Sequence, residues 1–207
     1  NCPMPPSPEM SAPQKALRKL GLKRDIDLAL HLPLRYEDET RITRLADARE
    51  GDTVQIEATV THSEIRLQSR RQLLVTVIDG SDTCTLRFFS FYPSHQKALA
   101  VGARLRVRGE IKGGFLGKQM LHPAFKLASG DLPTALTPVY PSVAGLPQAY
   151  LRRAVLGGLK RANLSETLPP GCPNYNPAYL SQTGTHRPCS LREALLFLHH
   201  PAPDVSL

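Results

Sequence analysis

Tryptophan is absent from this 207-residue sequence, and other aromatic residues are scarce, with six phenylalanines and six tyrosines. Long apolar runs are missing as well. None approaches the ~18 residues of a transmembrane helix, so the sequence predicts no membrane span. The N-terminal stretch NCPMPPSPEMSAP has neither a positive start nor an apolar core, so we expect no secretory signal there. Because the first residue is not methionine, we expect the natural start to lie upstream.

Cysteine is also sparse. The four cysteines lie far apart in the chain and form no paired CxxC motif. This usage is typical of a cytoplasmic protein with free thiols rather than of a disulfide-bonded secreted domain. Cys172, His186 and Cys189 carry donor atoms for a metal ion, but structural zinc sites usually contain paired cysteines. We therefore expect no metal site.

Catalytic motifs are missing too. The stretch GGFLGKQ (residues 113–119) is only faintly like a phosphate-binding loop, since that motif has four residues between its glycines and a Ser or Thr after the lysine. GxSxG, HExxH and EF-hand spacings are not found. We interpret six histidines as surface or packing residues: His31, His62, His95, His122, His199 and His200. The chain alone is expected to hold no cofactor and to catalyse no reaction.

Proline and positive charge are present in excess. The 19 prolines concentrate in the first dozen residues and after Leu132, which indicates extended flanks around a compact middle. The net charge is +8, and residues 51–127 carry 11 basic against 6 acidic side chains. This bias favours a polyanionic partner such as nucleic acid, although solubility alone also produces it.

Helical periodicity appears on both sides of that middle. Two short apolar stripes around Gly21, within QKALRKLGLKRDIDLALHLPLRYED, predict a helical pair. Such a pair either holds DNA phosphates on its backbone amides or is a packing unit, and the second interpretation is favoured. Further along, QAYLRRAVLGGLKRA predicts an amphipathic helix with Leu151 and Leu159 on its inner face. Ser190 and Glu193 form a capping box that predicts the start of a last helix.

From Asp52 the apolar period changes to two, which is typical of β-strands. Five strand segments follow, with a short helix over HQKALAVG between the third and fourth: TVQIEATVT, QLLVTVIDG, TCTLRFFSF, RLRVRGEI and GKQMLHPAFKL. This order is that of the OB-fold, a small Greek-key barrel that commonly binds oligonucleotides. We predict a mainly β protein with a five-stranded OB-fold Greek-key barrel, an N-terminal helix pair and C-terminal helices. A small open sandwich is the alternative.

The barrel sets the predicted division of the chain. Residues 1–14 are expected to be a disordered or extended tail, and residues 15–50 a helical hairpin that packs on the barrel. Residues 51–128 are the predicted barrel itself, and residues 129–207 a linker with helices.

Half of the phenylalanines lie in one stretch, RFFSFYPSHQ. Strand alternation places Phe88 in the core and Phe89 outside, and Pro93 ends the strand, so that Phe91 and Tyr92 fall on a loop. Exposed rings would form a stacking platform for bases, at about 1–3 kcal/mol per base, whereas buried rings would form a lid on the barrel; the pattern favours neither. The arginines expected beside this platform, on its own and on neighbouring strands, are Arg87, Arg104, Arg106 and Arg108.

Several stretches in register give the chain a resemblance to a known family. They are HLPLRYEDET, LRFFSFYPSHQKAL, GARLRVRGEIKGGFLGKQMLHPAF, LTPVYPSVAGLPQAYLRR and SLREALLFLHHPAPDVSL. Over Gly21–Glu166 and Ser190–Leu207 the chain resembles the N-terminal part of the RecG family of ATP-dependent DNA helicases, whereas residues 171–188 and the extreme N-terminus depart from it. The resemblance implies a wedge domain, which is an OB barrel in that family.

The resemblance also implies a mechanism. RecG-like proteins act on stalled replication forks and Holliday junctions in DNA repair and recombination. Their wedge splits the strands at the branch point while a separate motor pulls duplex DNA with ATP and magnesium. In the family an aromatic residue after the third barrel strand stacks on an unpaired base, and Phe89 matches it. Pro93 stands at a second stacking position, so Phe91 or Tyr92 is expected to substitute. Phosphate contacts are expected from Arg66, Arg70, Arg71, Arg87, Arg104, Arg106 and Arg108.

The leading hypothesis is a branched-DNA-binding wedge module whose parent protein is a helicase of the bacterial cytoplasm, associated with the nucleoid. Its expected partners are branched or forked DNA and its own C-terminal motor, which we expect beyond the present sequence, and the expected state is a monomer. The alternative is a structural or protein-interaction OB module with buried aromatic residues and no direct DNA contact.

Overall fold

The computed structural model describes residues 10–67, 69–114, 117–165 and 190–204. The elements are, in chain order, helices α1 (Ala12–Lys19) and α2 (Asp25–Ala29), strand β1 (Arg35–Glu37), a 3-10 helix (Leu45–Asp47), strands β2 (Thr53–Leu67), β3 (Arg71–Ile78) and β4 (Thr83–Phe88), helix α3 (Pro93–Ala98), strands β5 (Arg104–Glu110), β6 (Gln119–Leu121), β7 (Ala124–Leu127) and β8 (Thr137–Val139), and helices α4 (Gln148–Arg161) and α5 (Leu191–His199). They form two compact units, one over Asp38–Pro133 and one from the residues before and after it. None of the described helices has both the length and the apolar character needed to cross a bilayer. The four-part division of the chain stays a prediction.

The first unit contains the predicted barrel. Its sheet has the strand order β6-β4-β3-β2-β5-β7, in which β4 and β6 are parallel and all other neighbours are antiparallel. Strands β6 and β7 are two halves of the predicted fifth strand, and they pair with the opposite edges of the sheet, β4 and β5. The sheet is thereby closed on itself. The predicted fold class, an OB-fold barrel with flanking helices, is confirmed.

The fifth strand is split at two residues. Pro123 has no N–H to donate to a ladder. His122 has a φ of 45°, in the left-handed region that residues other than glycine seldom occupy. The chain therefore turns sharply between β6 and β7, and each half reaches its own partner strand.

Strand β2 is long enough to pair with two different strands. Its first half pairs with β5 and its second half with β3. The register with β3 shifts between Val60 and His62, which leaves Thr61 as the extra residue of a bulge. A bulge bends a strand and increases its twist, so one strand can follow the barrel wall. The core-facing side chains alternate as predicted: Ile56, Ala58, Val60, Leu73, Val75, Val77, Cys84, Leu86, Phe88, Leu105 and Val107.

The second unit contains the predicted helices. Leu151 and Leu159 of α4 are buried, as predicted. The predicted capping box of α5 is present: Glu193 donates its N–H to the Ser190 hydroxyl, and Ser190 donates its N–H to the Glu193 carboxylate. The antiparallel pairing of β1 with β8 was not predicted, because each strand has three residues and the two are distant in sequence.

A buried histidine joins distant parts of this unit. The Nε2 of His199 lies 2.8 Å from the carbonyl oxygen of Ala29, and its Nδ1 lies 2.8 Å from the hydroxyl of Tyr140. Since the carbonyl can only accept, Nε2 carries the proton and Nδ1 accepts from the tyrosine. Burial lowers the pKa of His199, which favours this neutral form.

Helices α2 and α4 approach closely at Gly158. A Cβ at this position would lie 2.4 Å from the Cβ of Leu28 and 2.9 Å from the carbonyl oxygen of Asp25. The neighbouring Gly157 differs, because a Cβ there would lie 2.9 Å from Nη1 of Arg161. That atom is the far end of a flexible, exposed side chain and can move aside.

The two glycines supply a matched pair of variants. Gly158→Ala should lower the free energy of unfolding by about 1–3 kcal/mol, because the methyl group forces two backbones apart. Gly157→Ala should leave it unchanged or raise it by up to ~1 kcal/mol, because alanine favours the helix. Urea unfolding followed by circular dichroism measures both, and equal effects would contradict the close contact as the cause.

Candidate nucleic-acid interface

The aromatic stretch follows directly from strand β4. Phe88, the last residue of β4, is 4% exposed and belongs to the core, as predicted. Phe89 is half-buried and lies just beyond the strand. Phe91 is also half-buried and packs against the core of the barrel, whereas Tyr92 is 67% exposed. The three candidate stacking residues therefore have three different environments.

Phe89 contacts a histidine and an arginine. Its backbone N–H donates a long hydrogen bond of 3.4 Å to Nε2 of His122, and the two ring centroids are 5.5 Å apart with planes tilted by 54°. Cζ of Arg70 lies 5.2 Å from the Phe89 ring centroid. A cation over an aromatic face is attracted by the ring quadrupole. The ring is thus held at the barrel surface by contacts from two other segments.

Phe91 also has an arginine over its ring. Cζ of Arg71 lies 4.8 Å from its ring centroid, and the ring rests on the barrel core. This environment corresponds to the lid interpretation for Phe91. Tyr92 instead contacts His95 in the first turn of α3, with the ring centroids 5.5 Å apart and nearly perpendicular.

The loop between β2 and β3 supplies the nearest positive charge. Arg70 and Arg71 are exposed and lie beside the aromatic stretch. Arg66, near the end of β2, is exposed but forms an ion pair in which its Nε lies 2.6 Å from Oε1 of Glu64. The structure therefore brings two of the predicted arginines together with Phe89 and Phe91.

Arg104, Arg106 and Arg108 were predicted to lie on strands neighbouring the aromatic stretch, and this placement is wrong. The neighbours of β4 are β3 and β6, whereas β5 lies beyond β2. Strand order depends on pairing between distant segments, which the local alternation that suggested the platform does not report.

The arginines of β5 already have partners within the barrel unit. Arg104 lies 2.8 Å from the Glu57 carboxylate, and Arg106 lies 3.3 Å from its other oxygen. Hydrogen bonds from Arg104 and then from Arg106 lower the pKa of Glu57. The Arg106 side chain is only 10% exposed and also donates to the carbonyl oxygens of Ser129 and Gly130. Arg108 has an electrostatic interaction with Asp38.

Arg87 belongs to a separate concave surface on the outer wall of the barrel. This hollow has a volume of about 330 Å³ and is lined by His62, Glu64, Arg66, Leu74, Thr76, Thr85, Arg87 and Gln119. Among the described residues, three buried polar side-chain atoms have no hydrogen-bond partner: Arg87 Nε, Gln72 Oε1 and His95 Nδ1. Arg87 lies in β4, two residues before Phe89, which follows the end of that strand.

The described residues offer little for covalent chemistry. Burial raises the pKa of Cys84 to about 12, so its thiol is protonated near neutral pH. In the described ranges no group of three or more His, Cys, Asp or Glu side chains is arranged to hold a metal ion. Cys172, His186 and Cys189, whose metal-binding potential was weighed above, lie outside the described residues.

Sequence reasoning missed His122, which was interpreted as a surface or packing residue. The structure places its ring beside both Phe88 and Phe89, at centroid distances of 6.2 Å and 5.5 Å. A signal was present in the sequence, since Pro123 interrupts a predicted strand and marks a break at the residue before it.

Comparison with known proteins gives a consistent picture. Residues 11–161 match the RecG wedge domain family. An ATP-dependent DNA helicase RecG from Pasteurella multocida is 36% identical over 198 residues, and the match covers 92% of this chain and 27% of that protein. The protein of the same name from Escherichia coli is 37% identical over 199 residues, with the same two coverages. The chain therefore spans 27% of the length of these curated relatives.

A solved structure of RecG bound to a three-way DNA junction has the same fold. It superposes with a TM-score of 0.65 at 23% sequence identity, covering 91% of this chain and 25% of that one.

The different burial of Phe91 and Tyr92 gives a second pair of variants. Phe91→Ala should lower the free energy of unfolding by about 1–3 kcal/mol, less than the ~3–5 kcal/mol of a fully buried phenylalanine. Tyr92→Ala should change it by less than ~0.5 kcal/mol, because an exposed side chain contributes little. Urea unfolding of both variants measures the difference. A larger loss of unfolding free energy for Tyr92→Ala than for Phe91→Ala would contradict the conclusion that Phe91 is the residue that packs on the barrel core.

Proposed function

This chain belongs to the RecG wedge domain family, and on that premise we propose that it is the branched-DNA-binding module of an ATP-dependent DNA helicase. The observation that carries the proposal is the position of Phe89. Its half-buried ring follows the end of β4 and contacts both Arg70 and His122. Relatives named ATP-dependent DNA helicase RecG, and a related structure bound to a three-way DNA junction, support it.

The physical role of such a ring follows from the cost of strand separation. Breaking the last base pair at a branch point exposes the flat face of each base to water. An aromatic ring fixed at that point can cover the face, and stacking of this kind contributes about 1–3 kcal/mol per base without regard to sequence. Phe89 therefore lowers the free energy of the separated state, and the barrel behind it keeps the ring in place.

The charges beside Phe89 suit the backbone of the same DNA. Arg70, before β3, and Arg71, the first residue of β3, are exposed and contact Phe89 and Phe91, and Arg87 lies in the hollow on the outer wall of the barrel. Neutralising a phosphate releases condensed counterions, which makes binding favourable and dependent on salt. Arg66 and the arginines of β5 contribute less, because they already interact with carboxylates in the protein.

The wider function concerns the whole protein. We propose that the module acts at stalled replication forks and Holliday junctions during DNA repair and recombination, in the bacterial cytoplasm. A motor in the remainder of the polypeptide would supply the pulling force with ATP and magnesium. The module itself is proposed to act as a monomer with no catalytic residue of its own.

One observation favours a different role. Phe91 packs against the barrel core, as expected of a barrel whose aromatic residues serve only the fold. In that case the chain is a structural or protein-binding module, and it would bind forked DNA no better than plain duplex.

Phe89→Ala separates these two functions. It should weaken binding to a forked DNA by ~5- to 150-fold, because the stacking contact is lost, and should leave binding to a plain duplex nearly unchanged. Fluorescence anisotropy with labelled fork and duplex measures both affinities. Tyr92→Ala, an exposed aromatic in the same loop, is the matched control and should retain fork binding if Phe89 is the main stacking residue. Equal losses on fork and duplex would contradict the stacking role.

The salt dependence tests the loop arginines. The slope of log affinity against log salt should fall by about 1.4–1.8 in the Arg70→Gln/Arg71→Gln double variant, since each phosphate contact contributes ~0.7–0.9. Arg104→Gln, on β5, should change the slope less, because Arg104 is already paired with Glu57. A slope that falls for Arg104→Gln and not for the double variant would place the DNA on the β5 side instead.

A further inference from the structure

We propose that His122 is a positioning residue that holds Phe89 in its stacking orientation; this inference rests on the proposed function and deepens it. His122 does not touch DNA in this scheme. It acts through the backbone and the ring of Phe89, and no property of the sequence around Phe89 itself points to it.

The backbone of His122 is in an uncommon conformation. Its φ is 45°, and among the described residues it is the non-glycine residue with positive φ. Backbone strain of this kind persists where the surroundings require it, and it concentrates at functional sites. The His122 N–H donates to the carbonyl oxygen of Arg87 at 2.9 Å. The turn is therefore fixed to the last part of β4, directly before Phe89.

The side chain of His122 continues this connection. Pairing between β3 and β4 ends with Leu73 and Phe88, so the ladder offers no partner to the N–H of Phe89. Nε2 of His122 accepts that hydrogen bond at 3.4 Å. An accepting Nε2 means that the ring is neutral with its proton on Nδ1. The imidazole thus provides the acceptor that a further residue of a neighbouring strand would provide. The hydrogen bonding of β4 thereby continues by one residue, to Phe89.

The imidazole also sets the direction of the ring. It stands perpendicular to Phe88 in the core, with 6.2 Å between the ring centroids, and contacts Phe89 on the surface at 5.5 Å. Phe88 is buried, so close packing in the core restricts its ring. His122 therefore contacts the buried ring of Phe88 and the surface ring of Phe89 at once, so that the position of the second ring depends on the first. A contact residue that is ordered before binding loses less conformational entropy when the ligand arrives.

Two substitutions separate the hydrogen bond from the backbone. His122→Asn tolerates the left-handed conformation, but its amide oxygen is too short to reach the Phe89 N–H. His122→Gln places an amide oxygen near the position of Nε2 and keeps the acceptor. His122→Gly is a second loss-of-contact variant, which accepts the backbone conformation without strain if the asparagine variant folds poorly.

The first measurement needs no DNA. Amide hydrogen exchange of the 207-residue chain should show faster exchange at Phe89 in His122→Asn and His122→Gly, and near-parental exchange in His122→Gln, because only the last keeps the acceptor. Unchanged exchange at Phe89 in both loss-of-contact variants would overturn the proposal, whatever the DNA affinities are.

The second measurement is a double-mutant cycle on a forked DNA. His122→Asn should weaken fork binding by about 3- to 10-fold, part of the ~5- to 150-fold expected for removing the stack. It should have no further effect in the Phe89→Ala background, and His122→Gln should restore the binding. The same loss in both backgrounds would overturn the proposal, because His122 would then act by another route.

The two measurements distinguish the proposals from each other. If Phe89→Ala weakens fork binding and both His122 loss-of-contact variants do not, the positioning role is wrong and the proposed function stands. If exchange at Phe89 accelerates as expected and Phe89→Ala has no effect on fork binding, the stacking function is wrong and the inference falls with it.

Discussion

Closure of the barrel requires one short stretch of chain to pair with both edges of the same sheet. Residues 119–127 meet this requirement by breaking at His122 and Pro123, so that β6 pairs with β4 and β7 pairs with β5. The break brings the His122 imidazole to the end of β4 and gives Phe89 its neighbour. The candidate interface is thus a by-product of how the sheet is closed, and the rim of the barrel cannot be understood apart from its topology.

The arginines of the barrel unit form two groups that differ in what they contact. Arginines on β5 are held by Glu57, Asp38 and backbone carbonyl oxygens, and their charge stabilises the barrel wall. Arg70 and Arg71, where the chain enters β3, lie over aromatic rings instead. A cation on an aromatic face keeps its net charge, whereas one paired with a carboxylate is neutralised. The number of arginines alone therefore overstates the surface that attracts a polyanion.

The sequence predicted those features that depend on local patterns. Alternation identified the core side of the first four predicted strands, including Phe88, and the spacing of Ser190 and Glu193 identified the start of α5. It did not predict which strands are neighbours, because pairing of β4 with β6 or of β1 with β8 is decided by packing over long sequence separations. The misplaced arginines of β5 and the overlooked His122 have this same cause: both depend on what lies across the sheet.

The bulge in β2 has a consequence for how the chain can change. One strand forms a ladder with β5 and then with β3, and the register of the second ladder is offset at Thr61. In a strand, adding or removing one residue exchanges its inner and outer faces. The bulge at Thr61 separates the registers of the two ladders. A change in the length of β2 on one side of the bulge would therefore leave the inner and outer faces of the strand on the other side unchanged. Phe89 follows β4, which pairs with β3, so its position depends on the second ladder and not on the length of the first.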